Sequence, residues 1–132
     1  MYKEFFEVRD NEVDAQGVVN NANYFVYMSH ARHKYLDGIG INFHEMAKNN
    51  QQLFLTSSSI EFKKSLGANS KFYISCKMIK SGSIRICFEQ EIRLVDTDEL
   101  IAKAQNTGVC MDGNKKRPYI PEQISNNFEG IS

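Results

Sequence analysis

Neither sign of charge is in excess: sixteen Lys and Arg balance sixteen Asp and Glu, for a formal net charge of zero. No overall field therefore draws the chain to nucleic acid or to an anionic membrane, and neither is expected as a partner. Cysteine is scarce. Cys76, Cys87 and Cys110 stand far apart, in no C-x-x-C and no Cys/His cluster. That argues against a disulfide framework and against zinc, and it fits a reducing compartment. No metal and no cofactor are expected. Apolar runs long enough to span a bilayer are missing, and Met1-Tyr2-Lys3-Glu4 leads into no apolar leader segment, so a cytoplasmic protein is expected. Proline occurs only at Pro118 and Pro121, and the stretch that holds both, Lys115 to Ser132, reads as irregular. No repeat, linker or low-complexity segment interrupts the 132 residues, which suffice for a core without disulfides or metals. One domain over residues 1–132 is expected.

What is present is one helical pattern among several strands. Residues 2–9 read as a short strand with Tyr2, Phe6 and Val8 on one face. From about Ala22 to about Asp37 the spacing predicts a long helix. Its wide apolar arc takes in Tyr24, Phe25, Tyr27, Met28, Ala31, Tyr35 and Leu36, with Ser29, His30 and His33 on the narrower polar side. Such an arc describes a helix wrapped by something else. Arg32 falls inside the arc, where a guanidinium should pair with a carboxylate or reach outward. A helical turn over Phe43 to Asn50 follows, then strands at Leu53–Lys64, Lys71–Met78, Ile84–Leu94 and Leu100–Met111, with turns at Leu66–Asn69, Ser81-Gly82-Ser83, Asp96–Asp98 and Asp112–Asn114. The small residues Ala102, Ala104 and Gly108 on the inner side of the last strand suggest close helix approach. The order strand, long helix, four-stranded antiparallel meander has one economical solution, an α+β fold in which a curved antiparallel sheet wraps the helix.

Chemistry concentrates ahead of that helix. Asp14 lies a few residues before Asn20 and Asn21, both good N-cap residues. A helix start offers unpaired N–H donors and the positive end of the macrodipole, beside which an oxyanion can form. A carboxylate there can serve as nucleophile or general base. An Asp-x-x-Gly tetrapeptide alone describes an ordinary turn. The longer string Asp14-Ala15-Gln16-Gly17-Val18-Val19-Asn20-Asn21-Ala22-Asn23-Tyr24, followed by Ala31-Arg32, resembles the 4-hydroxybenzoyl-CoA thioesterase family, whose fold is the hotdog. Ile60–Leu66, Ser81–Ile86, Phe88–Ile92 and Arg117-Pro118-Tyr119-Ile120-Pro121 extend the likeness over nearly the whole chain, although a proline expected near Ser65 is missing.

The resemblance implies hydrolysis of the thioester of an acyl-CoA or of an acyl group on a carrier protein. Asp14 would attack the carbonyl or activate water, while the backbone N–H of Asn21 polarises the carbonyl. Gly17, Val18, Tyr24 and Ser83 would meet the substrate. Lys64 and the cluster Lys115-Lys116-Arg117 are the candidates for its phosphates. A homodimer or tetramer is implied, with the substrate channel between subunits. Two departures stand out: some relatives carry a histidine where this chain has Val18, and others a histidine or an aromatic where it has Asn21. A hotdog module that binds acyl thioesters without hydrolysing them is the alternative. A hotdog dehydratase is a third reading, weakened because His30, His33 and His44 match no functional position of the family.

Overall fold

The computed structural model describes residues 1–132. Its elements are β1 (Tyr2–Glu7), α1 (Asn21–Gly38), α2 (Phe43–Lys48), β2 (Gln51–Phe62), β3 (Lys71–Ser81), β4 (Arg85–Leu94), β5 (Leu100–Asp112), β6 (Arg117–Tyr119) and α3 (Glu122–Ser125), with a short 3-10 turn at Asp10–Glu12. The alternating pattern does what its period requires. Phe72, Ile74, Cys76 and Met78 of β3 and Ile86, Phe88, Gln90 and Ile92 of β4 are buried on the sheet's inner face, against Tyr24, Met28, Ala31 and Leu36 of α1. The sheet curls around the helix as the sequence predicts. No helix is long and apolar enough to cross a membrane.

Strand order departs from the expected meander. The sheet runs β1-β3-β4-β5-β2, so only β3, β4 and β5 are consecutive neighbours, and β2 pairs with β5 at the far edge. Alternation tells a strand which face to bury, but not which neighbour to take. Here α1 carries the chain across the inner face, and residues 63–70 carry it back over the start of the helix. The tail is not irregular either. β6 pairs with Cys110–Asp112 of β5, and Lys80 is bridged to Ile131 beyond α3. Pro118 is accommodated because β6 is an edge strand.

Three residues also have surroundings other than those expected. Phe25 lies outside the wrapped part of α1 and is 46% exposed, with Val26 beside it at 61%. Arg32 finds no carboxylate; its Nη1 donates to Gln90 Oε1 at 2.9 Å. Gly108 is small for the sake of β2 rather than the helix, since a Cβ there would sit 2.7 Å from Phe54 O. That close approach adjoins a register shift between Leu55 and Ser57, a bulge at Thr56.

Candidate active site

The loop ahead of α1 is a tight hairpin closed by the Val13–Val19 bridge. Asp14 N–H donates to Val18 O at 2.8 Å, and Gly17 N–H donates back to Asp14 O at 3.0 Å. Gly17 has φ +79°, the left-handed conformation that glycine adopts without strain. The Asp14 carboxylate folds over its own turn. Oδ1 accepts from Gln16 N–H at 2.8 Å and, more distantly, from Val18 N–H at 3.5 Å. Oδ2 accepts nothing within the chain, and the residue is exposed. One oxygen is thus tethered and the other is free.

Asn20 is the N-cap of α1, its Oδ1 accepting from Ala22 N–H at 2.9 Å. Asn21 therefore occupies the first helical position, and its own N–H meets no acceptor in the chain. An exposed carboxylate oxygen and an unused amide donor are the two ends of one eight-residue turn, from 14 to 21. The helix start adds its partial positive charge to the amide.

What holds this turn against the helix is Glu12, which the sequence reading passed over. Its backbone oxygen accepts from Asn20 N–H at 3.2 Å and from Asn23 Nδ2 at 3.0 Å. Its carboxylate accepts from the Tyr27 hydroxyl at 2.9 Å and from Arg9 N–H at 2.8 Å. Burial works against the charged form, but the hydrogen bonds from Arg9 and Tyr27 outweigh it and hold the Glu12 carboxyl below the usual glutamate range. The signal was present as an acid two residues ahead of Asp14, but its partners Asn23 and Tyr27 are visible only once α1 has formed.

Tyr24 is 1% exposed, and its hydroxyl accepts from Leu66 N–H at 3.0 Å. Val19 N–H donates to Leu66 O at 2.8 Å, and Val18 is bridged to Gly67. Tyr24 and Val18 thereby clasp the 63–70 segment to the hairpin. Lys64 lies on that segment, paired with Glu99 at 2.6 Å. The other expected residues sit elsewhere. Ser83 is exposed between β3 and β4, at the end of the sheet where Arg85 meets Val109. Lys115, Lys116 and Arg117 are exposed beyond Asp112. The 63–70 segment joins β5 at its opposite end, with Lys63 N–H and Lys64 N–H both on Ile101 O. Their anchors on β5, Ile101 for the first group and Val109 to Asp112 for the second, lie eight to eleven residues apart, roughly 26–36 Å of strand. One chain alone does not bring Asp14 together with Ser83 or the basic cluster. His30 lies edge-on to Phe6, and His33 edge-on to Phe43.

A family model described as the thioesterase-like superfamily matches residues 8–128. The chain belongs to that superfamily. Within it, the chain is 37% identical over 123 residues to an acyl-acyl carrier protein thioesterase, ATL3, of Arabidopsis thaliana, covering 92% of this chain and 64% of that protein. The chain thus spans a little under two thirds of this relative's length. It is 31% identical over 113 residues to a putative esterase of Aquifex aeolicus, with 86% of each covered. In three dimensions it resembles a 1,4-dihydroxy-2-naphthoyl-CoA thioesterase from Synechocystis, with TM-score 0.85 and 18% identity over 95% of this chain and 92% of that one. The superfamily's curled sheet around a long helix, the hotdog fold, is the fold of this chain.

Proposed function

We propose that the chain is a thioester hydrolase acting on an acyl-CoA or an acyl-carrier protein, with all of residues 1–132 forming one catalytic domain in the cytoplasm. The observation that carries the reading is the turn from Asp14 to Asn21: a carboxylate with one oxygen fixed by backbone donors and the other free, followed by an unused N–H at a helix start. Asp14 Oδ2 attacks the thioester carbonyl carbon, the C–S bond breaks, and the thiolate leaves and takes a proton from water. Water then opens the mixed anhydride and restores the carboxylate. Alternatively, the same oxygen removes a proton from the attacking water. In either path negative charge develops on the carbonyl oxygen, and Asn21 N–H receives it. Gly17 and Val18 border the reacting group, and Tyr24 acts by holding the 63–70 segment in place. The relatives' names, a carrier-protein thioesterase and a CoA thioesterase, support the substrate class.

Dimerisation completes the site in this reading. β2 is a 12-residue edge strand on which Phe54, Leu55 and Phe62 are 44–49% exposed, with Leu55 lining a cleft together with Phe25 and Val26 of α1. A long, partly apolar edge is a template for pairing. Two copies joined β2 to β2 in antiparallel fashion form a closed two-fold pair. That pairing sets the Phe62 end of each strand against the Gln51 end of the other. Ser83 and Lys115-Lys116-Arg117 of one subunit then approach Asp14 of its partner, with the basic cluster placed to meet phosphate.

Thiol release from a panel of acyl-CoAs and acyl-carrier proteins tests the assignment. Asp14→Ala should lower kcat by about 10²–10⁴-fold, the usual contribution of a positioned acid or base. Hydrolysis undiminished in that variant would remove Asp14 from its role. Tight binding with no turnover in the unaltered protein would favour a non-catalytic binding module.

A further inference from the structure

Arg32 makes no ion pair. Its half-buried guanidinium rests on a chain of amides whose orientation is fixed from the inside. Gln90 Nε2 donates to Met28 O at 3.0 Å, so Gln90 Oε1 must face the other way. There it accepts from both Arg32 Nη1 and Asn106 Nδ2, each at 2.9 Å. Arg32 and Asn106 are therefore no more than about 6 Å apart at these atoms. Asn106 is 1% exposed. Its side-chain oxygen accepts no hydrogen bond in the chain and is not sealed away from solvent; as an acceptor it offers nothing to an anion, so Arg32 supplies the donors.

Both side chains open onto a cleft of about 490 Å³ between α1 and β2. Ser29 and Ser58 add hydroxyls to its wall, Phe25 and Leu55 form an apolar lip, and no acidic residue lines it. The charged and titratable groups that face it are Arg32, His30 and His33, all basic. A guanidinium stripped of most of its water, with free N–H donors and no counter-ion, is an incomplete arrangement. An anion able to take two parallel N–H donors completes it.

We propose that this cleft receives a carboxylate borne by the acyl group, making monothioesters of dicarboxylic acids the preferred substrates. Asn21, Phe25, Met28 and Arg32 follow one another at intervals of four, three and four residues, so they share a side of α1. About 16 Å of helix separates Asn21 from Arg32. A chain whose thioester lies at Asn21 N–H runs along α1 past Phe25 and ends at Arg32. The catalytic consequence rests on the thioesterase reading above; the binding of a carboxylate in the cleft does not.

Thiol release is to be measured for matched pairs from hexanoyl-CoA to dodecanoyl-CoA, each against the CoA monothioester of the dicarboxylic acid of equal length. The carboxylate-ended member should lead by about tenfold or more in kcat/KM at one length at least. That ratio should fall toward one in Arg32→Gln and in Ser29→Asp, the latter placing an internal carboxylate one turn before Arg32, and should be partly kept in Arg32→Lys. Ser29 is half-exposed, so its variant keeps the test open if Arg32→Gln fails to fold. Calorimetry with decanedioate and decanoate reads the same preference without turnover. Equal kcat/KM at every length, or a preference surviving both variants, overturns the proposal while leaving Asp14 in place. Binding of decanedioate that is lost in Arg32→Gln, with no thiol released from any thioester, upholds the cleft and removes the hydrolase reading.

Discussion

A single N–H can be deleted from this protein without a new side chain intruding. Asn21 stands at the first helical position, where proline is favoured, and Asn20 before it already has φ −62° and ψ 139°, the extended conformation that proline requires of its predecessor. Asn21→Pro should leave the far-ultraviolet circular dichroism unchanged. Its kcat should drop about 10²–10³-fold, the effect of losing one oxyanion donor. Glu12 makes a second residue-scale prediction. Its carboxyl is held below the usual glutamate range, so the stability it contributes is fully present above the unfolded value of about 4.3 and is lost as pH falls through the lower folded value. Glu12→Gln should therefore cost about 1–2 kcal/mol at neutral pH. The deficit should shrink in acid, as read by urea unfolding at stepped pH. The turn at Asp14 and the helix start at Asn21 were legible because both are local in sequence. Glu12 was not, because two of its donors, Asn23 and Tyr27, come from the helix eleven and fifteen residues later.

At the scale of elements, faces were readable and neighbours were not. Ile74, Met78, Phe88 and Ile92 fall on the inner side of β3 and β4 as their alternation demands. Nothing in the pattern of β2 distinguishes pairing with β3 from pairing with β5, because either neighbour buries the same face. Gly108 shows the cost of that ambiguity. Read as room for a helix, it proves to be room for the bulged partner strand, with Phe54 O 2.7 Å from where a Cβ would sit. Gly108→Ala should destabilise the protein by about 1–3 kcal/mol through backbone displacement. Hydrogen exchange should show the loss of protection concentrated at Leu53–Ser59 and Thr107–Val109. Protection lost evenly along β5, or at α1 instead, would restore the helix-approach explanation. Phe25 misled for a related reason: a wheel projection shows that a side is apolar, but not whether this chain or another copy covers it.

For the molecule as a whole, the decisive dimension is the length of β5. Asp14 and Lys64 gather near its first residues, and Ser83 and Lys115-Lys116-Arg117 near its last. Sequence distance conceals this. Lys63 and Lys64 look no closer to Asp14 than Ser83 does, and only the return of residues 63–70 across the helix start brings their segment, through Leu66 and Gly67, onto the hairpin that holds Asp14. The substitutions Lys115→Ala, Lys116→Ala and Arg117→Ala made together should raise KM for acyl-CoA about tenfold while leaving the circular dichroism intact, since all three side chains are exposed. If a working centre borrows one rim from each copy, two disabled parents are able to repair each other. Co-refolding Asp14→Ala with the triple basic variant would give hybrids carrying one doubly damaged centre and one untouched. Turnover at low substrate would then reappear from a mixture of two poor catalysts, rising with the hybrid fraction; centres contained within single copies would give only the average of the parents.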